Sequence, residues 1–147
     1  MNHQPFWKHK PLTALTRDEW ESLCDGCGRC CLQKLEYEQT GEIRYTCIVC
    51  RYFHETTCRC TRYAERNELV PTCLCLRPET LGAIRFLPDT CAYRLLAEGR
   101  DLCWWHPLVS GSPDTVHEAG ISVRGRVLCE DYVHPDGWEE MIVDWVK

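Results

Sequence analysis

Cysteines at metal-ligand spacings are the residues of this sequence that could do chemistry. Thirteen of the 147 residues are cysteine, and the densest run is CDGCGRCC at residues 24–31. In a C-x2-C pair, a tight turn brings two thiolates to one ion and aims backbone N–H groups at the sulfurs. Gly26 and Gly28 supply the backbone freedom that such turns require. The run therefore predicts a metal site.

Later cysteines could complete a second set of ligands. The pair Cys30-Cys31 matters because adjacent side chains diverge in extended or turn backbone, so both sulfurs seldom bind one ion. Either the two feed separate sites, or one binds and the other stays free. Further candidates are Cys47, Cys50, Cys58, Cys60, Cys73, Cys75 and Cys91. This supply exceeds one tetrahedral site and suits two four-cysteine sites or one polynuclear cluster. Two sites are the favoured count.

Basic residues and histidines accompany the cysteines. A guanidinium stays charged and can lower the pKa of a neighbouring thiol. Arginines within two residues of a cysteine include Arg29, Arg51, Arg59 and Arg62. Among the histidines, His54 is the best placed as a ligand because it lies between two cysteines. His106, His117 and His134 are further candidates, with a surface or hydrogen-bonded role as the alternative for each.

Composition bounds the fold and the compartment. Leu, Ile, Val and Phe make up 32 of 147 residues, which is close to the roughly 20% below which chains tend to be disordered. A core this lean usually needs metal or disulfide cross-links. The N-terminus lacks the apolar stretch of a secretory signal, and no window could span a bilayer. We therefore expect a cytoplasmic protein with reduced thiols, and the odd cysteine count argues against a closed disulfide framework.

Charge and motifs argue against several function classes. The formal net charge is −5, so no overall basic field attracts nucleic acid. The sequence contains no Ser/His/Asp order, phosphate loop or HExxH motif, which leaves little support for a hydrolase or a nucleotide enzyme.

The elements that must position the cysteines are short. Residues 1–15 are expected to form an extended arm, and Thr16 with Glu19 fits a capping box for a helix that leads into Cys24. Residues 42–47 alternate like a strand, and 121–123 resume that pattern. A second helix is predicted over 91–98, with a cap at Asp89 or Thr90 and an end at Gly99. A third helix is predicted after a cap at Asp136, and its apolar stripe consists of Trp138, Met141, Ile142 and Trp145.

These features predict a small metal-stabilised α+β domain, with short helices and a few strands folded around cysteine-ligated metal sites. The length of 147 residues fits one domain, which we expect to cover residues 1–147.

The run at residues 24–31 resembles the CxxCxxCC signature of the bacterial cysteine-cluster proteins called YcgN and YkgJ, described as zinc- or iron-chelating. Residues 18–23, 57–60, 90–99, 105–108 and 121–124 resemble the YcgN branch. The resemblance implies a bacterial cytosolic protein whose metal ligands are Cys24, Cys27, Cys30, Cys31, Cys50, Cys58, Cys60, Cys73 and Cys91. Additional to that pattern are Cys47, Cys75, Cys103 and Cys129.

Three functions follow as hypotheses. The first is a metal-binding protein that holds iron–sulfur clusters or zinc for electron transfer, metal handling or structural support, with metal ions and a redox or protein partner. Spacing does not choose the metal, although the cysteine supply exceeds what structural zinc needs and so favours iron–sulfur slightly. The second is a redox-active metalloenzyme that uses an uncoordinated Cys31 activated by Arg29. The third is a zinc-organised RNA- or protein-binding module with a stacking surface at Trp104 and Trp105.

Overall fold

Short helices and a few strands make up the part of the chain that the computed structural model describes, which is residues 5–70, 73, 76–81 and 87–146. The helices are α1 (Phe6–His9), α2 (Arg17–Ser22), α3 (Arg66–Leu69), α4 (Ala92–Ala97), α5 (Pro107–Ser110) and α6 (Thr115–Glu118). The strands are β1 (Leu32–Glu36), β2 (Ile43–Val49), β3 (Phe53–His54), β4 (Arg59–Cys60) and β5 (Leu128–Cys129). Tight 3₁₀ turns cover Leu12–Ala14, Arg29–Cys31, Tyr63–Glu65, Glu130–Tyr132 and Pro135–Met141. This confirms the prediction of a small α+β protein.

Helix α2 begins at the predicted capping box. The Thr16 hydroxyl accepts a hydrogen bond from the backbone N–H of Glu19 at 3.1 Å, and the Glu19 carboxylate accepts one from the backbone N–H of Thr16 at 2.9 Å. These reciprocal bonds satisfy two backbone donors that a helix N-terminus otherwise leaves free. The helix ends at Ser22 and delivers the chain directly to Cys24, as the sequence predicted.

Two small sheets carry the middle of the chain. Strands β1 and β2 form an antiparallel hairpin, and β5 pairs with β2 in parallel. The predicted strand at residues 42–47 is thereby confirmed and extends to Val49. Strands β3 and β4 form a separate antiparallel pair in which Phe53 lies opposite Cys60.

Two hydrophobic clusters lie on either side of the cysteine run. The helix core contains Leu23, Leu81, Leu87, Ala92, Tyr93 and Leu102. The sheet core contains Leu32, Tyr45, Val49, Phe53, Cys58, Val123 and Val146. Leu23 directly precedes residues 24–31 and Leu32 directly follows them, and both are almost fully buried. Burying each flank in a different core fixes both ends of the turn.

Three local predictions need correction. Residues 5–15 are not an extended arm, because α1 and the turn at Leu12–Ala14 each follow a proline, which suits the first turn of a helix. Residues 121–123 form no strand, although Val123 donates its N–H to the carbonyl of Cys27 at 2.9 Å. The final α-helix is instead a 3₁₀ segment over Pro135–Met141, capped by His134 rather than Asp136.

The predicted helix at 91–98 is confirmed in its existence and its end. Helix α4 covers Ala92–Ala97, and Cys91 stands at its N-cap with no side-chain cap bond, so the predicted cap at Asp89 or Thr90 is wrong. Gly99 is left-handed at φ 76°, and the N–H groups of Gly99 and Arg100 bond back to the carbonyls of Leu96 and Leu95. This is the Schellman end that a glycine favours. In the described part of the chain, no helix has the length and apolar character needed to cross a membrane.

Candidate metal centre

A cavity of about 420 Å³ collects cysteines from four separate segments of the chain. Among the described residues, the cysteines that line it are Cys24, Cys30, Cys31, Cys50, Cys60 and Cys73. All six belong to the predicted ligand set. Aromatic side chains of Trp20, Phe53 and Tyr93 share the cavity wall, and Lys34 and Arg66 add positive charge.

The turn at residues 24–31 depends on its glycines. Gly28 has a left-handed backbone at φ 75°, and a Cβ added there would lie 2.7 Å from Cζ of Phe53 and 2.9 Å from Cγ2 of Val123. Only glycine fits this combination of backbone angle and close packing. The buried Asp25 carboxylate also accepts the N–H of Cys27 at 3.0 Å, which holds the first half of the turn.

The adjacent residues Cys30 and Cys31 line the same cavity, and their thiols lie close enough to shift each other's pKa. The pKa of Cys30 is lowered and that of Cys31 is raised, because a thiolate at Cys30 is stabilised by the neighbouring thiol and opposes its ionisation. The Lys34 ammonium lowers the pKa of Cys30 further. Both members of the pair thus line one cavity, and their assignment to separate sites or to one ligand and one free thiol stays a prediction.

Burial is the main influence on the thiol pKa of three further cysteines, namely Cys24, Cys27 and Cys91. It raises the pKa of Cys24 to about 11 and that of Cys91 to about 12, and it raises the pKa of Cys27 well above the ordinary value. Cys27 and Cys91 do not line the cavity. They nevertheless lie close enough to Cys24 and Cys30 for thiolate charges to interact. As thiolates, these groups would need a compensating positive charge.

Cys50 and Cys60 approach the cavity from the sheet side. Burial raises the pKa of Cys50, and the nearby Glu130 carboxylate raises it further. Glu130 in turn accepts the backbone N–H of Arg51 at 2.8 Å. Sequence reasoning did not identify Glu130, although it follows Cys129 directly and an acidic residue beside a cysteine was the available signal.

Cys58 is set apart from the cavity although it was predicted as a ligand. It is 4% exposed in the sheet core, and its sulfur faces donors from Ser122 and Arg124. Its backbone is left-handed at φ 56°, and among the described residues it is the one non-glycine with a positive φ. Of the other cysteines, Cys47, Cys103 and Cys129 do not line the cavity, and Cys75 lies outside the described residues.

The predicted basic neighbours divide into two groups. Arg59 donates to the Cys24 sulfur at 3.7 Å, and Arg29 is buried beside Cys27, whose sulfur accepts the Arg29 backbone N–H at 3.4 Å. Arg51 and Arg62 instead form ion pairs with carboxylates. Sequence reasoning did not identify Lys34, because it stands three residues beyond the last cysteine of the run.

Histidine side chains serve local structure at the four predicted positions. The buried His106 contacts the carbonyl of Leu23 at 2.8 Å through Nε2, and its Nδ1 accepts the N–H of Leu108. The Nδ1 atoms of His54, His117 and His134 bond to Thr57, Ser122 and Asp136. Within the described residues, no three His, Cys, Asp or Glu side chains converge closely enough, as they stand, to hold an ion.

Trp104 and Trp105 do not cover the cavity. Their rings meet edge to face with centroids 6.1 Å apart, and Trp104 is 61% exposed. An exposed tryptophan is available for contact, but no basic residue stacks on it among the described cation–π pairs.

These features define a small cysteine-rich α+β protein with a thiol-lined cavity. Proteins named UPF0260 protein match nearly the whole chain. The relative from Marinobacter nauticus is 57% identical over 142 residues, covering 97% of this chain and 96% of its own length. The relative from Sinorhizobium fredii is 55% identical over 145 residues, covering 99% and 94%. The relative from Brucella melitensis is 58% identical over 132 residues, covering 90% and 87%.

The chain belongs to the UPF0260 family. The assignment to a YcgN/YkgJ-like family is corrected accordingly, because the near-full-length relatives carry the UPF0260 name. A shared CxxCxxCC run is a short signal, and alignment over the whole chain outweighs it. No family model and no solved structure matches the chain.

Proposed function

We propose that this protein binds a metal cofactor through the cysteines of the cavity, and that the cofactor is an iron–sulfur cluster. The observation that carries the proposal is that, within the described part of the chain, six cysteines from four segments line one cavity. Soft thiolate ligands select iron–sulfur clusters and zinc over harder cations. The donor set therefore fits either group.

Cavity size favours a polynuclear cluster over a single zinc ion. Zinc–sulfur bonds are about 2.3 Å long, so one ion and its bonds occupy a sphere of roughly 50 Å³. The cavity of about 420 Å³ is several times larger.

Buried positive charge supports the same conclusion. Arg29 is only 5% exposed, and no carboxylate in the described part of the chain lies within ion-pair distance of it. Burial lowers the pKa of Arg29 and that of Lys34, while nearby cysteine charges raise both. Buried cations are normally paired. A thiolate at Cys27 would lie beside the Arg29 guanidinium and would offset its buried charge.

The proposed ligands are the six cavity cysteines, with Cys27 and Cys91 completing the site on its buried side. Cys58 is left out because it belongs to the sheet core. A bound cluster would supply one-electron transfer, whereas zinc would supply folding stability. The chain itself excludes water with Trp20, Phe53 and Tyr93 and stabilises thiolates with Lys34.

Anaerobic purification followed by metal, sulfide and visible-spectrum analysis tests the proposal. A brown protein that contains iron and acid-labile sulfide and loses its colour in air is the expected result. A colourless protein with stoichiometric zinc would overturn the iron–sulfur assignment and leave metal binding standing. Protein that takes up neither metal after anaerobic reconstitution would overturn metal binding altogether.

A redox-active cysteine is the second candidate, and one observation favours it. Lys34 lies 2.9 Å from the carbonyl of Cys30, and Cys31 and Lys34 together lower the pKa of the Cys30 thiol. This observation favours Cys30 as the reactive thiol, activated by Lys34. The sequence had suggested Cys31, activated by Arg29. Alkylation of the metal-free protein at neutral pH would modify Cys30 first if this second function holds.

A further inference from the structure

Exposed cations cluster on one face beside the cavity. We define the basic face by the exposed side chains of Arg59, Arg124 and Arg126, and the half-buried His117 lies close to the first two. Arg59 and Arg124 lie close enough to His117 for their charges to lower its pKa, after the larger effect of burial. Arg124 is anchored by a 2.7 Å hydrogen bond from Nε to the carbonyl of Thr56. Arg126 donates to the carbonyls of Gly120 and Ser122 and stacks on the Trp145 ring at 4.2 Å. Backbone carbonyls thus hold these guanidinium groups in place.

Carboxylate partners are missing from the basic face. In the described residues none of its three arginines has an ion pair, whereas other arginines do, namely Arg44, Arg51, Arg62, Arg94 and Arg100. Two carboxylates lie near His117. Asp25 is buried and bonded to the N–H of Cys27, and Asp114 is exposed. Acidic residues outnumber basic ones by 22 to 17 in this chain. A cluster of unpaired cations is therefore a local exception to its charge balance.

Position links the basic face to the cysteine cavity. The Nη1 atom of Arg59 lies 3.7 Å from the Cys24 sulfur. A Cβ added at Gly26 would lie 3.2 Å from Nη2 of the same guanidinium. Arg59 therefore lies over the cysteine turn on its solvent side, and a molecule bound to this face would approach Cys24.

We propose that the basic face binds an acidic surface of a protein partner and thereby places that partner against Cys24. Complementary charge steers association and fixes the register of a docked complex. The net charge of −5 opposes a long polyanion such as nucleic acid, whereas a compact acidic patch can meet this face alone. Only the role of the complex, in electron or metal exchange at Cys24, rests on the function proposed above.

Fluorescence anisotropy with a labelled polyglutamate peptide tests this binding on the full chain. We expect binding that weakens as salt is added, and a loss of about tenfold in affinity for Arg124→Glu. Arg44→Glu is the matched control, because it makes the same charge change at the tip of the β1–β2 hairpin. Arg124→Lys loses the hydrogen bond from Nε to the Thr56 carbonyl but keeps the charge, so it should retain most of the affinity.

Three results would overturn the proposal. The first is equal weakening by Arg124→Glu and Arg44→Glu, which indicates net charge alone. The second is weakening by Arg124→Lys as large as by Arg124→Glu, which indicates a structural role. The third is tighter binding of a labelled oligouridylate than of polyglutamate, which assigns the face to nucleic acid. Metal content is measured separately, so failure here is distinguishable from failure of the metal proposal.

Discussion

The Lys34 ammonium lies 2.9 Å from the carbonyl oxygen of Cys30, on the strand that follows the cysteine turn. It also donates to the carbonyl of Leu32 at 2.8 Å, so the side chain folds back over the end of the turn. Its charge adds to the effect of the Cys31 thiol in lowering the pKa of Cys30. One lysine therefore fixes the turn and favours a thiolate at Cys30.

Replacing this lysine tests its effect on the thiol. Lys34→Met keeps the length of the side chain and removes the charge, so the pKa of Cys30 should rise and its thiolate fraction at pH 7 should fall. We expect alkylation of Cys30 in the metal-free protein, followed by mass spectrometry, to slow several-fold. Lys8→Met is the control, because Lys8 pairs with Asp101 on the surface and should leave the rate unchanged. Equal rates in wild type and Lys34→Met would contradict this role.

Gly28 tests whether the turn geometry is required. Gly28→Ala adds left-handed strain of roughly 1–2 kcal/mol and overpacking of roughly 1–3 kcal/mol against Phe53 and Val123. We expect the free energy of unfolding, measured with urea, to fall by the sum of the strain and the overpacking. Gly41→Ala is the matched control, since Gly41 has φ 72° with nothing within 4 Å of an added Cβ. Gly41→Ala should lose only the stability that corresponds to the left-handed strain. Similar losses of stability in both variants would show that packing at Gly28 is loose.

Alkaline pH should destabilise the metal-free, reduced protein. Burial raises the pKa of Cys24 from 9.0 to about 11 and that of Cys91 from 9.0 to about 12. At pH values between the ordinary pKa and the raised one, thiols of the unfolded chain have lost protons that the folded chain still holds. The free energy of unfolding therefore falls as the pH rises. Urea unfolding from pH 8.5 upward measures this decline, and Cys91→Ala should make it shallower. A stability that stays flat over this range would contradict the burial of these thiols.

Local signals explain what the sequence could predict. Thr16 and Glu19 satisfy backbone donors of their own helix, and Gly99 supplies a left-handed residue that ends α4, so neither depends on the rest of the fold. The stripe from Trp138 to Trp145 was misleading because its period matches an α-helix. Residues 135–141 form a 3₁₀ segment instead, and Ile142 and Val143 then pair with β2. Tertiary pairing of this kind outweighs a local periodicity.

Cysteine spacing identified most of the cavity but not its boundary. In a regular strand, Cys58 and Cys60 would point to the same face because side chains alternate with a period of two. The left-handed backbone at Cys58 breaks that alternation, so Cys60 lines the cavity while Cys58 enters the sheet core. Lys34 reaches the site because it lies on β1, and Glu130 reaches it because it follows β5, which pairs in parallel with β2. Those contacts depend on the sheet register, which spacing along the chain does not contain.

Metal and sulfide content of matched serine variants tests the central claim most directly. Cys60→Ser and Cys50→Ser remove sulfurs that line the cavity, whereas Cys58→Ser and Cys47→Ser remove neighbours that do not. Each variant is purified anaerobically, its folding is checked by circular dichroism, and its metal and sulfide are measured per chain. We predict that the two cavity variants lose most of the bound metal and that the other two retain it. Loss of metal from a folded Cys58→Ser protein, or its retention in both cavity variants, would contradict the account.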